Sequence, residues 1–349
     1  MENREKSSII TEHDHTKAMP FFPALTDRLL RSLDYVAILR PLLLIPVWTM
    51  LFLGYYKGLK GTVSNHISLP LIGNIPVVLR PDNEILLTLL LYSLLMGAVY
   101  ILNQISDSRT DEINGKLYLV PQEYIKANRL KIQIGILLFI SVLISFFKFP
   151  RVYLYLILLS IALGVLYSVP PVRLKGRPFL DLLANASGFG FVAFAVGWVS
   201  KFAISKEMIL GCLPYVICIS AAFINTTIPD IKGDSQNGDI TTGIFLGIRK
   251  SCILSTILVT LAVLISILIW DPICLLASLL SLPFYIRMMV LNWNERSPRI
   301  SAITLATKIS LLILSFLVAV LIPFYFILLI STLLLIKVYY QMRFGISYP

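Results

Sequence analysis

The chain has 349 residues, of which 57% are hydrophobic and only 14% are charged, and its formal net charge is +11. Soluble domains average about 25% charged residues, and the mean hydropathy here is +0.82. This composition excludes a soluble globular protein and a disordered chain. The four cysteines lie singly inside apolar runs, which fits neither a zinc site nor a disulfide framework. The chain is predicted to be an integral membrane protein.

Nine windows contain no Asp, Glu, Lys or Arg, and a spanning helix needs about 20 mostly apolar residues. The windows are 41–56, 85–106, 132–147, 152–172, 182–200, 208–229, 251–270, 272–286 (running on to 294) and 309–336. The last window is too long for one pass through a hydrocarbon layer of about 30 Å, and Pro323 lies in its middle. We therefore predict an all-α fold with ten spans, the last two being 301–322 and 323–340. Nine spans, with one long tilted final helix, is the alternative.

The lysines and arginines predict the orientation. With a cytoplasmic N-terminus and ten spans, most of the 30 cations lie on the cytoplasmic side. This bias explains the positive charge without nucleic acid and makes anionic membrane lipid the natural partner. The first 33 residues lack the apolar core of a signal peptide. We predict a polar tail over 1–33, a main domain over 34–322, and an extra C-terminal helix with a short tail over 323–349.

Two acidic clusters follow spans on the predicted cytoplasmic side. Asn103, Asp107 and Asp111 are spaced four residues apart, as are Asp230 and Asp234. On a helix, residues at this spacing share one face, where like charges repel. Carboxylates without histidine or thiolate favour a hard ion, and Mg²⁺ is usually held by one or two carboxylates and substrate phosphates. The clusters predict magnesium ions bridging a diphosphate; two ordinary solvated loops are the alternative.

A basic segment, Tyr167-Ser-Val-Pro-Pro-Val-Arg-Leu-Lys-Gly-Arg177, follows the fourth predicted span on the same side. The proline pair ends the helix. Arg173 and Lys175 are suited to binding a diphosphate leaving group. A short cytoplasmic loop that only anchors the protein by its charge is the alternative.

Together, N-x-x-x-D-x-x-x-D, Y-S-x-P-P-x-R-L-K and D-I-K-G-D-x-x-x-G-D-x-x-T resemble the motifs of the UbiA superfamily of intramembrane prenyltransferases. The resemblance runs from about residue 35 to about 320. It implies nine helices around a central cavity that opens on the cytoplasmic side, with the tenth span an addition. It implies that Mg²⁺ is held by Asp107, Asp111, Asp230 and Asp234, that Tyr167, Arg173 and Lys175 are catalytic, and that diphosphate also contacts Asn103, Lys116 and Lys232. Asp239 is a weaker candidate.

One segment departs from the family pattern. After Asn114-x-Lys116, many members have an Arg-Pro pair and a Pro-Ser-Gly turn, whereas this chain continues Leu-Tyr-Leu-Val-Pro121. One expected phosphate contact is therefore missing. This weakens the resemblance to the ubiquinone, menaquinone and haem-O branches, and the motifs are similar instead to the chlorophyll-synthase-like and archaeal glyceryl-phosphate-type branches.

The resemblance implies a multi-pass enzyme of the cell (cytoplasmic) membrane that transfers a polyprenyl group from its diphosphate to a lipid-soluble, aromatic or alcohol acceptor. Quinone precursors, chlorophyll-type molecules and glyceryl phosphates are all possible acceptors, and no protein partner is implied. A terpene cyclase that needs no acceptor is an alternative. A transporter is a further one, although ion pathways place acidic residues within spans and the nine windows contain none.

Overall fold

The computed structural model describes residues 23–59, 62–63, 65–69, 73–113, 119–120, 122–294 and 298–348. Most of these residues are helical, as the sequence predicts, and one short hairpin that the sequence did not predict is also present. In chain order the elements are α1 (Pro23–Ala37), α2 (Pro41–Gly58), β1 (His66–Leu69), β2 (Gly73–Pro76), α3 (Asn83–Ser106), α4 (Ser108–Ile113), α5 (Ala127–Lys148), α6 (Arg151–Ser168), a 3₁₀ turn (Leu174–Gly176), α7 (Leu180–Asn185), a π-helical segment (Ala186–Val192), α8 (Ala193–Val199), α9 (Lys206–Thr227), α10 (Ile231–Gln236), α11 (Thr242–Leu268), α12 (Pro272–Leu291), α13 (Ile300–Leu321) and α14 (Pro323–Phe344). Strands β1 and β2 pair antiparallel, with Ile67 opposite Ile75.

The prediction of nine to ten spans is confirmed. Among the described residues, nine helical runs are long and apolar enough to cross a membrane: α3, α5, α6, α7 continued through the π-helical segment into α8, α9, and α11 to α14. Arg28–Ala37 and Pro41–Gly58 pass the same test together, with a bend of 42° between them, and would make a tenth. The helix is interrupted at Ile322, so α13 and α14 are two helices rather than one long tilted helix.

The starts of several spans follow from local chemistry. Asp82, Thr241 and Asp271 precede α3, α11 and α12, and each accepts a hydrogen bond from a backbone N–H of the first turn. Such a cap satisfies one donor that a helix start leaves unpaired. Proline begins α2, α12 and α14, where its missing N–H costs no hydrogen bond.

Two glycines bring α2 and α8 into backbone contact. A β-carbon on Gly54 would overlap the carbonyl oxygen of Phe194, and one on Gly197 would overlap the carbonyl oxygen of Leu51. Small residues that let backbones approach are a common means of helix association in membranes. This pair lies within the largest hydrophobic core, which extends from α2 to α3, α6, α8, α9 and α13.

The last helix packs against the first two. The Tyr325 hydroxyl lies 2.8 Å from Oγ1 of Thr49 in α2. At the other end of α14, Arg343 donates two hydrogen bonds of 3.0 Å to Asp34 of α1, and Tyr339 donates one of 2.7 Å. Asp34 is 2% exposed, so this buried ion pair ties α1 to α14.

Helix α1 begins inside the segment predicted as a polar tail over 1–33, of which residues 1–22 lie outside the described part of the chain. The predicted boundary at 322/323 coincides with the start of α14. The division of the chain into three domains stays a prediction.

Candidate active site

Helices α3, α6 and α9 finish at the same end of the bundle, which we call the motif end, at Ser106, Ser168 and Thr227. Each is followed by one of the motifs found in the sequence. The short helices α4 and α10, which carry Asp111 of the first motif and Asp234 of the third, pack against each other. The acidic motifs from the two halves of the chain therefore lie side by side, with the basic segment between them.

The guanidinium of Arg173 links the first acidic motif to Asp239. Its Nε and Nη2 each donate a hydrogen bond of 2.8 Å to Asp239, and Nη2 also donates one of 3.0 Å to Asp107. Nη1 donates to the carbonyl oxygen of Ser168 at 3.2 Å. All three nitrogen atoms have partners within the protein, so the side chain is held in one position.

Lys175 lies between the two acidic motifs. Its Nζ is 2.7 Å from Oδ2 of Asp107 and 4.0 Å from Oδ1 of Asp234. Asn103, one helical turn before Asp107, donates a hydrogen bond of 2.7 Å to the same Oδ2. The three charged residues are between 4% and 9% exposed. One buried ammonium group thus lies within ion-pair distance of a carboxylate from each motif.

The carboxylates differ in how well their charge is compensated. Burial raises the pKa of Asp234 to about 6; Lys175 opposes this rise, and the neighbouring carboxylates add to it. Burial also acts to raise the pKa of Asp239, but the hydrogen bonds from Arg173 and from Asn237 outweigh it and hold that pKa below its usual value. The negative charge of Asp239 is therefore compensated by its hydrogen-bond donors. The negative charge of the second motif is compensated less completely, so a further cation would stabilise it.

Asp111 and Asp230 are the other acidic residues of the two motifs. Oδ2 of Asp111 is 3.4 Å from Nη2 of Arg40, which immediately precedes α2. Asp230 lies at the start of α10 and is half-buried. Its charge contributes to the raised pKa of Asp234, so it lies near the same cluster.

Three further predicted residues have different surroundings. Tyr167 is in the last turn of α6, with its hydroxyl beside Asn185. Lys232 in α10 is exposed. Lys116 lies outside the described residues. Their predicted roles in catalysis and diphosphate binding stay predictions.

Two acidic residues, Asp239 and Asp181, make buried contacts that the sequence did not predict. The carboxylate of Asp181 is fully buried and accepts hydrogen bonds of 2.7 Å from the backbone N–H groups of Leu182 and Thr242, as well as one from the Thr242 hydroxyl. It thereby joins α7 to the start of α11. In the sequence, Asp181 could have been noticed as a single acidic residue at the edge of an apolar window. Asp239 could have been noticed as a third acidic residue after Asp230 and Asp234, directly following Gly238.

The fit of a divalent ion follows from the donors. Among the described residues, no three His, Cys, Asp or Glu side chains form a group that could hold a metal ion. Mg²⁺, however, commonly takes one or two carboxylates and completes its shell with phosphate oxygens and water. Asp107 and Asp234 share one cation. The site therefore fits an ion bound together with a phosphate ligand.

These features define a class: a polytopic helical membrane protein with a buried polar site of carboxylates and cations at one end of its bundle. A model of the UbiA prenyltransferase family matches residues 79–307. The chain belongs to the UbiA prenyltransferase family, as its three motifs predict.

The similar proteins are prenyltransferases by name. The chain is 24% identical over 188 residues to digeranylgeranylglyceryl phosphate synthase of Sulfurisphaera tokodaii, covering 52% of this chain and 65% of that protein. It is 31% identical over 180 residues to a probable chloroplastic homogentisate phytyltransferase 2 of Oryza sativa subsp. japonica, covering 48% and 46%. The chain thus spans less than two thirds of the length of either relative. Both names agree with the prediction of an enzyme that transfers alkyl groups.

The fold has solved counterparts. A UbiA homologue from Archaeoglobus fulgidus, solved with GPP and Mg²⁺ bound, superposes with a TM-score of 0.59 at 18% identity, covering 82% of this chain and 99% of that one. At this identity the likeness shows the fold.

Proposed function

We propose that this protein is a Mg²⁺-dependent prenyltransferase that moves a polyprenyl group from its diphosphate to a lipid-soluble or amphipathic acceptor. One observation carries the proposal: carboxylates from both halves of the chain meet at the Lys175 ammonium, at the end of an apolar helical bundle. A polar site at the end of an apolar bundle matches a prenyl diphosphate, which has a charged head and an apolar tail. The names of the relatives, and the GPP and Mg²⁺ of the Archaeoglobus fulgidus homologue, support it.

The predicted metal ligands are Asp107, Asp111, Asp230 and Asp234, two from each half. A bound Mg²⁺ would neutralise charge on the diphosphate as it leaves. Lys175 is placed to donate a hydrogen bond to the same group, and Arg173 keeps a second positive charge beside Asp107. Fixed donors in a site that excludes water stabilise developing charge better than water does.

The proposed reaction transfers the prenyl group in two steps. The allylic C–O bond breaks and the diphosphate leaves with the electron pair. The allylic cation forms a new bond to a carbon or oxygen atom of the acceptor, which loses a proton. We propose that Tyr167, in the last turn of α6, stabilises the cation with its ring or orients the acceptor. Exclusion of water matters because water would convert the cation to an alcohol.

A small apolar cavity of about 30 Å³ lies between α9, α11, α12 and α13. Its wall includes Ile219 and Ala222 of α9, the helix that leads into the second acidic motif. This volume holds a few water molecules at most, so we propose that the prenyl tail lies between helices of the bundle rather than inside this cavity.

The motif end is proposed to face the cytoplasm, as the distribution of lysine and arginine predicts, in the cell membrane with a cytoplasmic N-terminus. The acceptor is proposed to be a quinone precursor, a chlorophyll-type molecule or a glyceryl-phosphate lipid. By their names, one relative makes digeranylgeranylglyceryl phosphate and the other is a probable phytyltransferase of homogentisate.

The test uses purified protein in lipid vesicles with labelled geranylgeranyl diphosphate, Mg²⁺ and a panel of acceptors. Asp107→Asn and Asp230→Asn should each lower turnover by at least about 100-fold, a loss of about 2.7 kcal/mol of transition-state stabilisation. Asp82→Asn, at the opposite end of the bundle, is the matched control. Near-normal Mg²⁺-dependent transfer by both site variants would contradict the metal assignment. Hydrocarbon formation without any acceptor would identify a cyclase.

A further inference from the structure

We propose that Lys175 is a resident cation of the metal-free site, which leaves the carboxylates for the diphosphate when substrate binds. The divalent ion then enters together with the diphosphate rather than before it. This inference rests on the proposed function and adds an order of events to it. It follows from the different ways in which the two cations of the site are held.

Arg173 is fixed. Two hydrogen bonds of 2.8 Å tie its guanidinium to Asp239, and a third, of 3.2 Å, ties it to a backbone carbonyl. Bidentate contacts of this kind are strong and geometrically specific. The partner carboxylate of Asp239 has a second donor in Asn237, at 3.1 Å. Arg173 therefore keeps its place beside Asp107 whether or not ligands are bound.

Lys175 is held differently. Its one close carboxylate contact is to Asp107, at 2.7 Å, while Asp234 is 4.0 Å away. A lysine carries a compact charge on a flexible four-carbon stem, so the ammonium can move several ångströms without a change in the 3₁₀ turn that carries it. Among the described residues, Lys175 is the cation paired with Asp234. When it moves, Asp107 retains Arg173, but Asp234 loses its partner.

The position that Lys175 leaves needs positive charge. Without Lys175, the Arg173 guanidinium still pairs with the buried carboxylates of Asp107 and Asp239, but the equally buried Asp234 carboxylate loses its ion pair. Unpaired buried charge is costly. A divalent ion and an ammonium group cannot occupy the space between Asp107 and Asp234 at once, so each excludes the other. A diphosphate carries several negative charges, so it gives the Lys175 ammonium an anionic partner that replaces the carboxylates.

Two effects of opposite sign follow. Lys175 competes with a divalent ion that arrives alone, and it attracts a diphosphate that arrives alone. Its presence therefore couples the two ligands, since whatever displaces it from the carboxylates favours the ion. A lysine that only supported the fold would affect both ligands in the same direction.

The experiment measures two affinities of the full-length protein in detergent, with Mn²⁺ alone by electron paramagnetic resonance and with metal-free inorganic pyrophosphate by calorimetry. Lys175→Met removes the charge and keeps the length of the side chain. Lys175→Arg keeps the charge, and Lys201→Met removes a cation from the Asp82 ion pair at the opposite end of the bundle. Lys175→Gln serves as a second neutral variant if the first fails to give monodisperse protein.

Lys175→Met should bind Mn²⁺ about tenfold more tightly than wild type and pyrophosphate about tenfold more weakly, about 1.4 kcal/mol each way. Lys175→Arg and Lys201→Met should stay within about threefold of wild type for both ligands, below about 0.7 kcal/mol. Unchanged or weaker Mn²⁺ binding by both neutral variants would overturn the inference. Neither affinity depends on turnover, so a failed transfer assay with intact opposite shifts would refute only the proposed function.

Discussion

Gly176→Ala tests how the site holds Arg173. A β-carbon at this position would overlap Oδ1 of Asp239. The backbone of Gly176 cannot easily retreat, because its N–H donates to the carbonyl of Arg173 and its own carbonyl accepts from Ile240, each at 3.1 Å. The Asp239 carboxylate must therefore move.

The size of the effect follows from the geometry. Carbon and oxygen atoms in contact need about 3.5 Å, so Oδ1 must shift by about 1 Å. Hydrogen bonds of 2.8 Å between Arg173 and Asp239 would then be stretched past the range in which they contribute. A hydrogen bond to a charged group contributes about 1.5–3 kcal/mol. Because Arg173 keeps its hydrogen bond to Asp107, we expect a net loss of about 2 kcal/mol of stabilising free energy. If the whole loss falls on the transition state, turnover drops by about 30-fold.

The assay compares Gly176→Ala with Gly188→Ala, where a β-carbon would meet nothing within 4 Å. Thermal unfolding in detergent and prenyl transfer in vesicles are measured for both variants. The structure predicts a lower unfolding temperature and slower transfer for Gly176→Ala alone. Equal behaviour of the two variants would refute the role of Asp239 as the anchor of Arg173.

Three further predictions concern the fold. Arg343→Met leaves the Asp34 carboxylate buried without its cation, and should cost about 3 kcal/mol of stability; an unchanged unfolding temperature would contradict this. Gly197→Ala forces α2 and α8 apart at a backbone contact and should cost about 2 kcal/mol, which a wild-type unfolding temperature would refute. Burial raises the pKa of Asp82, but hydrogen bonds, first that from Lys201, outweigh it and the net pKa is lowered. Asp82 therefore stabilises the fold above about pH 4, its usual pKa, and this contribution is lost as the pH falls further. The difference in unfolding temperature between wild type and Asp82→Asn should shrink below that pH, and a constant difference would disprove it.

The spans could be predicted because a bilayer imposes a length and a hydropathy on every helix. Pro323 correctly divided the last apolar stretch. The start of α1 at Pro23 could not be predicted in the same way, since that helix is amphipathic and its sequence reads as a polar tail. The hairpin of β1 and β2 was also missed, because strands of four residues carry little periodicity.

The acidic and basic motifs could be predicted from spacing, because residues four apart share a helical face. The pairing of each acidic residue with its cation could not be predicted, because it depends on how α4 packs against α10. Asp111 pairs with Arg40, 71 residues away in sequence. Asp239, five residues after Asp234, binds Arg173 more closely than Asp107 of the first motif does.

Carboxylates from both halves of the chain are proposed to form one site for a divalent ion and a diphosphate. The most direct measurement counts Mn²⁺ bound by the protein, by electron paramagnetic resonance, in the presence of an unreactive prenyl thiodiphosphate. Asp107→Asn and Asp234→Asn should each weaken that binding by at least about tenfold, about 1.4 kcal/mol, because each removes a ligand from a different half. Wild-type binding by either variant would show that its half of the chain does not contribute.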